Sequence, residues 1–134
     1  MRMWMVDPKT MCRKHLLGEH YEIHMLIGSM RRGKSIAKYI ATKLLQPSAA
    51  AKRHDELVAE MANRGYTHHT PVGEHEIKLL IDDYPPEVRT ARVDRSVSVA
   101  ELHERCEGCA RQSRLVATWK RERGKQRKIL EAVS

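Results

Sequence analysis

The sequence predicts an all-α fold, formed as a single compact domain of three or more main helices with long connecting loops. Its length of 134 residues suits one domain spanning residues 1–134. Aromatic residues make up only 4% of the chain and Phe is absent, and the β-branched runs that favour strands are scarce. Helix-favouring residues are plentiful, and apolar residues recur at helical spacing.

The first predicted helix covers about residues 8–30. Asp7 suits the N-cap and Pro8 the first helical position, and the glycine of Arg31-Arg32-Gly33 suits the end of the helix. Apolar side chains fall on one stripe of this helix, which we expect to face the core: Cys12, Leu16, Ile23, Leu26, Ile27 and Met30.

Two helices are predicted in the middle of the chain. Ser35 is a candidate cap for residues 36–45, a segment that must stop before Pro47. A third helix covers residues 49–64 and ends at Gly65.

The second half of the chain is predicted to be less regular. Residues 66–95 contain several breakers and are predicted mostly as loop, in which the apolar run 77–81 fits either a helical turn or an extended piece. A further helix is expected from Ser96 or Ser98 to about Cys109, and the basic tail from Arg111 is compatible with a helix.

The charge of the chain favours an anionic partner. Lys and Arg number 25 against 17 Asp and Glu, for a net charge of +8. A protein this basic most simply binds nucleic acid, and its 41% hydrophobic content excludes a disordered basic tail. Basic residues concentrate in 31–43 and 111–128, which we expect to form one phosphate-binding face; the alternative is two solvated helix surfaces.

Targeting signals are not recognisable in the sequence. No apolar run approaches the roughly 18 residues of a membrane span, and the first residues do not resemble a signal peptide. We therefore expect a cytoplasmic monomer with no membrane partner, in which the three cysteines stay reduced.

The polar face of the first helix carries the candidate chemistry. His15 and Glu22 are seven residues apart, or two turns, and so project from one face with Gly18 between them. Glycine costs a helix about 1 kcal/mol relative to Ala, but here it leaves a notch through which a ligand can reach the backbone. The alternative is an ordinary surface with a packing glycine.

The sequence resembles the pyrimidine dimer DNA glycosylase family along nearly its whole length. The run His15-Leu16-Leu17-Gly18-Glu19-His20-Tyr21-Glu22, followed by Gly28, is similar to the first helix of that family. Residues 33–51 align poorly. Further similar positions occur in the same order as in the family's second long helix, the loop after that helix, its last helix and the start of its aromatic tail. They are Lys52-Arg53, Glu56-Leu57, Ala59-Glu60, Arg64-Gly65, Asp82, Pro86, Glu87, Ser98, Ala100, Arg105 and Thr118-Trp119.

The resemblance implies a DNA glycosylase with AP lyase activity on UV-type pyrimidine dimers in double-stranded damaged DNA. In this family the nucleophile is the α-amine of the first residue and the key acid is a Glu on the first helix, which here become Met1 and Glu22. An α-amine has an ordinary pKa of about 7.7–8.0, so part of it is unprotonated at neutral pH. Because Arg2 is too bulky for ordinary methionine removal, we expect Met1 to be retained.

The resemblance and the basic character of the chain together predict the DNA contacts. The expected DNA-binding residues are Arg2, Lys14, His15, Tyr21, His24, Arg31, Arg32, Arg105 and Trp119. The family prototype has arginines in place of Tyr21 and Met25. Two alternatives therefore stay open: the same chemistry on a different base lesion, and a non-catalytic basic DNA-binding protein.

Neither a cofactor nor a metal is expected from the sequence. Cys106-x-x-Cys109, Cys12-x-x-His15, His20-x-x-x-His24 and Thr67-His68-His69 offer possible ligands, and a structural zinc would need four. One C-x-x-C without a second pair is weak support for zinc. We therefore expect Cys106 or Cys109 to pack as a small apolar residue, and His68, His69 and His75 to lie in surface loops.

Overall fold

The computed structural model describes residues 1–68 and 70–133. Within them the chain is all-α, as predicted, and no strand forms there. The connections are shorter than the long loops predicted, except between Asn63 and Glu74. Two 3₁₀ turns, Pro8–Thr10 and Pro47–Ala49, accompany seven α-helices: α1 Arg13–Arg31, α2 Ala37–Ala41, α3 Ala50–Asn63, α4 Glu74–Asp82, α5 Pro86–Thr90, α6 Arg95–Arg105 and α7 Glu107–Val133.

The core forms around α1, which packs against α3 and α4. The predicted stripe is confirmed, because its five residues from Leu16 to Met30 are buried and Cys12 packs half-buried beside them. From the other side the core is closed by Leu57 of α3 and by Ile77 and Ile81 of α4. Apolar burial of this kind contributes about 25 cal/mol per Å² and holds the helices together.

The first helix begins later than predicted. Asp7 caps the 3₁₀ turn, where its side chain accepts a hydrogen bond from Lys9 N at 3.0 Å. The chain then straightens, and Cys12 is the residue that caps α1. At its other end α1 stops as expected, with Gly33 at a φ of +64°, a conformation that glycine adopts without strain.

The middle helices are predicted with unequal success. The helix expected over 36–45 is only the short α2, because Lys43 turns the chain with a φ of +58°. Ser35 precedes the cap position, although its Oγ accepts a hydrogen bond from Ala37 N at 3.3 Å. The helix expected over 49–64 is confirmed to within a residue at each end as α3.

The prediction that residues 66–95 are mostly loop is wrong. Residues 74–82 and 86–90 form α4 and α5. The apolar run 77–81 is helical, and its first and last residues are buried. Pro86 occupies the first turn of α5 rather than breaking a helix, since a proline there loses no intrahelical hydrogen bond.

The C-terminal region forms two helices that meet at Cys106. Asp94 caps α6 by accepting a hydrogen bond from Val97 N at 3.1 Å. Cys106 is extended and ends that helix, and α7 starts at the next residue. The basic tail is therefore a continuous helix, most of whose described side chains are exposed. None of the helices in the described residues is both long and apolar enough to cross a membrane.

The N-terminal segment runs through the interior and is fixed at several points. Residues 3–6 are buried, and Met3 N donates to Leu44 O at 2.8 Å. Arg53 donates to Val6 O at 2.7 Å and pairs with Glu19 at 2.6 and 3.0 Å. The first residue is therefore held in place by the fold.

Candidate active site

A groove lies between the N-terminal segment and the polar face of α1. Its volume is about 410 Å³, and it opens to solvent. His15, Gly18 and Glu22, which are predicted to share one face of the helix, lie together in it. The groove is lined by the N-terminal segment and α1: Arg2, Trp4, Lys14, His15, Gly18, Glu19, Tyr21, Glu22 and Met25.

The start of the chain and Glu22 are adjacent in this groove. The backbone N–H of Arg2 donates to Glu22 Oε2 at 3.2 Å, although the two residues are 20 positions apart. The α-amine of Met1 is close enough for its charge to act on the Glu22 carboxylate. The fold thus brings a nitrogen base within electrostatic range of a carboxyl group, and amine-based covalent chemistry can use these two groups together.

Two opposing effects act on the pKa of the Glu22 carboxyl group. Burial raises the pKa of this carboxyl above its ordinary value, and the positive N-terminus and the Arg2 hydrogen bond oppose that rise. A carboxyl group whose pKa is shifted by burial in a groove, and that faces a specific cation, is a candidate for proton transfer.

Arg2 is fixed from two sides. Its guanidinium donates to Glu101 Oε2 at 2.7 Å and lies 3.7 Å from the centre of the Trp4 ring. Glu101 also pairs with Arg105, at 3.7 Å. The sequence analysis does not single out Trp4 or Glu101, because only the packing of the N-terminal segment against α6 brings both of them onto the Arg2 guanidinium.

The notch expected at Gly18 is present. A Cβ added to this residue would meet no atom within 4 Å among the described residues. Tyr21 and Met25, which lie beside it on α1, are 65% and 43% exposed. A large ligand can therefore approach the helix backbone at this point.

Comparison with known proteins decides the family. The model of the pyrimidine dimer DNA glycosylase family matches residues 1–73, which is more than half of the chain. The matched region contains Met1, the face of α1 that lines the groove, and the whole of α3. The chain belongs to this family. Membership implies DNA glycosylase activity and a DNA substrate. No curated protein and no solved structure matches the chain.

Four of the expected DNA-binding residues of this glycosylase lie in the groove, and the others lie elsewhere. Arg2, Lys14, His15 and Tyr21 line the groove. Arg105 is exposed on α6, where Glu101 links it to Arg2.

The other expected contacts lie outside the lining of the groove. Arg31 forms an ion pair with Glu76, and Arg32 is exposed just after α1. Trp119 is exposed on α7, and the guanidinium of Arg123 lies 4.4 Å from its ring centre. His24 belongs to a cluster of histidines described next.

Two groups of potential metal ligands form within the described residues of the glycosylase. In each group the candidate ligand atoms all lie within 4.8 Å of one another. The first group is Cys12, His15, Cys106 and Cys109, here called the cysteine cluster. The second is His20, His24, His54 and His68, here called the histidine cluster.

These groups revise the expectations for several residues. His68 is partly buried in the histidine cluster instead of lying in a plain surface loop, and His75 is exposed on α4. His69 lies outside the described residues. Burial, followed by repulsion from the neighbouring imidazoles, lowers the pKa of His20 to about 4.

Proposed function

We propose that this protein is a bifunctional N-glycosylase and AP lyase that acts on pyrimidine dimers in duplex DNA. The observation that supports the proposal most directly is the position of the chain's first residue. The backbone of Arg2 is hydrogen-bonded to Glu22 at the edge of an open groove, and the α-amine is next to it.

The first stage breaks the bond between base and sugar. The neutral α-amine of Met1 attacks C1′ of the damaged nucleotide, so that an N–C1′ bond forms while the C1′–base bond breaks. The base leaves with the bonding electron pair and takes up a proton, and the nitrogen loses one. Opening of the sugar at C1′–O4′, with a proton delivered to O4′, leaves an iminium link between Met1 and the DNA.

The second stage cuts the strand. The iminium acidifies the C2′ proton, whose removal lets the electrons form a C2′=C3′ double bond and expel the 3′ phosphate. Water then hydrolyses the iminium and returns the free amine. We assign Glu22 to stabilising the cationic intermediates and to the proton transfers, because its carboxylate accepts a hydrogen bond from Arg2 N and interacts electrostatically with the N-terminus, which becomes the iminium nitrogen.

The surroundings of the groove supply the contacts that DNA needs. Lys14 and Arg2 bring positive charge to the lining of the groove, and exposed Tyr21 offers a ring for stacking. Because a damaged base pair is easier to open than an intact one, the flipped or kinked nucleotide can reach Met1 through the notch. Tyr21 and Met25 occupy the part of the groove where lesion preference would be set.

An N-terminal extension tests the proposal. Adding a short uncleaved peptide before Met1 converts the amine into an amide, which is not nucleophilic, and leaves the groove residues unchanged. We expect cleavage of a duplex with one defined cyclobutane dimer to be lost, while gel-shift affinity for that duplex persists. The same peptide added after Ser134 is the matched control and should leave cleavage intact. Normal cutting by the N-terminally extended protein would refute the amine mechanism.

A further inference from the structure

The cysteine cluster joins two distant parts of the chain. Cys12 and His15 belong to the start of α1, whereas Cys106 and Cys109 belong to the junction of α6 and α7. Cys12 Sγ lies 3.8 Å from Cys106 Sγ and 3.3 Å from His15 Nδ1. The sulfur atoms are free thiols, and 3.8 Å is far longer than the bond of about 2.05 Å in a disulfide.

These distances are those of ligands around one tetrahedral zinc ion. Zn–S bonds of about 2.3 Å and Zn–N bonds of about 2.0–2.1 Å, at tetrahedral angles, place two sulfurs about 3.8 Å apart and a sulfur and a nitrogen about 3.5 Å apart. The two distances in the cluster match both values to within about 0.2 Å. Both halves also have the C-x-x-C or C-x-x-H spacing with which chains bind zinc.

The backbone around the sulfurs is arranged for thiolates. His15 N points at Cys12 Sγ at 3.5 Å, Cys109 N at Cys106 Sγ at 3.4 Å, and Cys12 N at Cys109 Sγ at 3.3 Å. Such N–H donors surround metal-bound sulfur and stabilise its negative charge. Gly108 permits this packing, since a Cβ there would approach Cys12 Cβ to 3.3 Å.

We propose that the cysteine cluster binds a structural zinc ion. Three thiolates and one imidazole complete a Cys₃His tetrahedron and leave no open position for substrate, so the role is to fix the fold. Binding releases three thiol protons. The ion would lock the first turn of α1 to the α6–α7 junction, and would turn His15 toward the metal at the edge of the groove.

Metal content and cobalt spectra test this site. The full-length untagged protein is purified, passed over a desalting column and analysed for zinc per chain. We expect Cys106→Ser/Cys109→Ser to lose one equivalent relative to the wild type, and the exposed control His75→Gln to lose none. Should the double variant not fold, the wild type loaded with Co²⁺ still decides the matter: thiolate-to-cobalt charge-transfer absorption is expected. Absence of that absorption, or an unchanged zinc content in a folded double variant, would overturn the proposal.

The histidine cluster brings four imidazoles together from three elements. His20 and His24 are one turn apart on α1, His54 lies on α3, and His68 follows α3. The ring centre of His20 is 4.8 to 5.0 Å from those of the other three. His54 Nε2 lies 3.2 Å from His68 Nε2, close to the roughly 3.3 Å between two nitrogens bound to one tetrahedral zinc.

Two imidazole nitrogens of this cluster are buried and lack a hydrogen-bond partner within the part of the chain that the structure describes. These atoms are Nε2 of His20 and Nε2 of His24, and a buried polar atom without a partner is destabilising. His54 Nδ1 lies 3.1 Å from Asp55 Oδ1. Because a carboxylate only accepts, Nδ1 carries the proton and Nε2 presents a lone pair, which is the arrangement of a carboxylate–histidine–zinc site.

From these independent observations the structure assigns a second zinc ion to the histidine cluster. A cation at its centre would give the two orphaned Nε2 atoms a partner and would tie α1 to α3 and to the segment after it. Glu22 lies two residues from both His20 and His24, which is about 200° around the helix. The ion would therefore brace α1 from the side opposite the groove and take no direct part in the chemistry.

Zinc content and the ligand set of the wild type test the second site. In the assay above, His20→Gln/His24→Gln should lose one equivalent of zinc but keep the thiolate-to-cobalt absorption. X-ray absorption of the wild-type zinc protein should show more nitrogen than sulfur neighbours, at about 2.0–2.1 and 2.3 Å, because the two sites together offer five imidazoles and three thiolates. Spectra fitted by three sulfurs and one nitrogen, or a folded histidine variant with unchanged zinc content, would overturn this site.

Discussion

The Glu22→Gln substitution distinguishes a role of Glu22 in the reaction from a role in DNA binding. Glutamine keeps the length of the side chain and an oxygen that can accept the 3.2 Å hydrogen bond from Arg2 N. It removes the negative charge beside the N-terminus and the ability to transfer a proton. The position is half-buried and the hydrogen bond from the Arg2 backbone is retained, so we expect the free energy of unfolding to change by less than about 1 kcal/mol.

The expected loss in rate follows from the two roles of the carboxylate. General acid–base catalysis is worth about 10²–10⁴-fold, and loss of one preorganised electrostatic contact costs about 10²–10³-fold. Since one group performs both roles, the losses overlap, and we expect single-turnover cleavage to fall by about 10³-fold. DNA affinity should hold or rise slightly, because an anion facing phosphates is removed.

The assay pairs single-turnover cleavage of a dimer-containing duplex with a gel shift on the same DNA. Glu104→Gln, an exposed position on α6, is the matched control: it makes the same change in net charge and should leave cleavage within about twofold, since an isolated surface substitution has little effect. If Glu22→Gln cleaves as fast as Glu104→Gln, Glu22 is not part of the machinery.

Three further predictions follow from the notch, the buried ion pair and the basic surface. Gly18→Ala should raise the free energy of unfolding by about 0.5–1 kcal/mol, because Ala favours a helix over Gly and the added methyl group meets open space. The same methyl group should displace the bound nucleotide and slow cleavage by about 10- to 100-fold. Unchanged cleavage would show that DNA does not approach the helix at Gly18. Arg53→Met leaves the fully buried Glu19 carboxylate without its ion pair and should lower the free energy of unfolding, measured in urea, by about 3–5 kcal/mol. Arg89→Met, which breaks the exposed ion pair with Asp82, is the control and should lower it by less than about 1 kcal/mol. Affinity for undamaged duplex should fall by about 10³–10⁵-fold between about 50 and 200 mM salt if six to ten phosphates are contacted; a flat profile would exclude this electrostatic interface.

Periodicity and caps predicted the fold where the signal was local. Helical spacing alone predicts the buried stripe from Leu16 to Met30, and Gly65 predicts the end of α3. The sequence predicts breakers at Pro85 and Pro86, because it does not distinguish a proline that interrupts a helix from one that begins it. The separate start of α1 depends on Cys12 acting as a cap, which is an uncommon role for cysteine.

The candidate site was predictable in part for the same reason. Glu22, His15 and Gly18 share a helix face, so their meeting follows from spacing alone. The contacts of Arg2 with Glu101, 99 positions away, are set by how the N-terminal segment packs against α6. The two ligand clusters were underestimated because each draws on segments far apart in the chain, and only tertiary packing brings those segments together.

Reductive trapping tests the central claim most directly. The wild-type protein is incubated with a dimer-containing duplex in the presence of borohydride, which reduces an iminium to a stable amine, and the cross-linked peptide is identified by mass spectrometry. The mechanism predicts a covalent protein–DNA adduct whose DNA remnant is attached to the α-nitrogen of Met1, and no adduct from the N-terminally extended protein. An adduct on a lysine, or efficient strand cleavage with no trapped adduct, would contradict it.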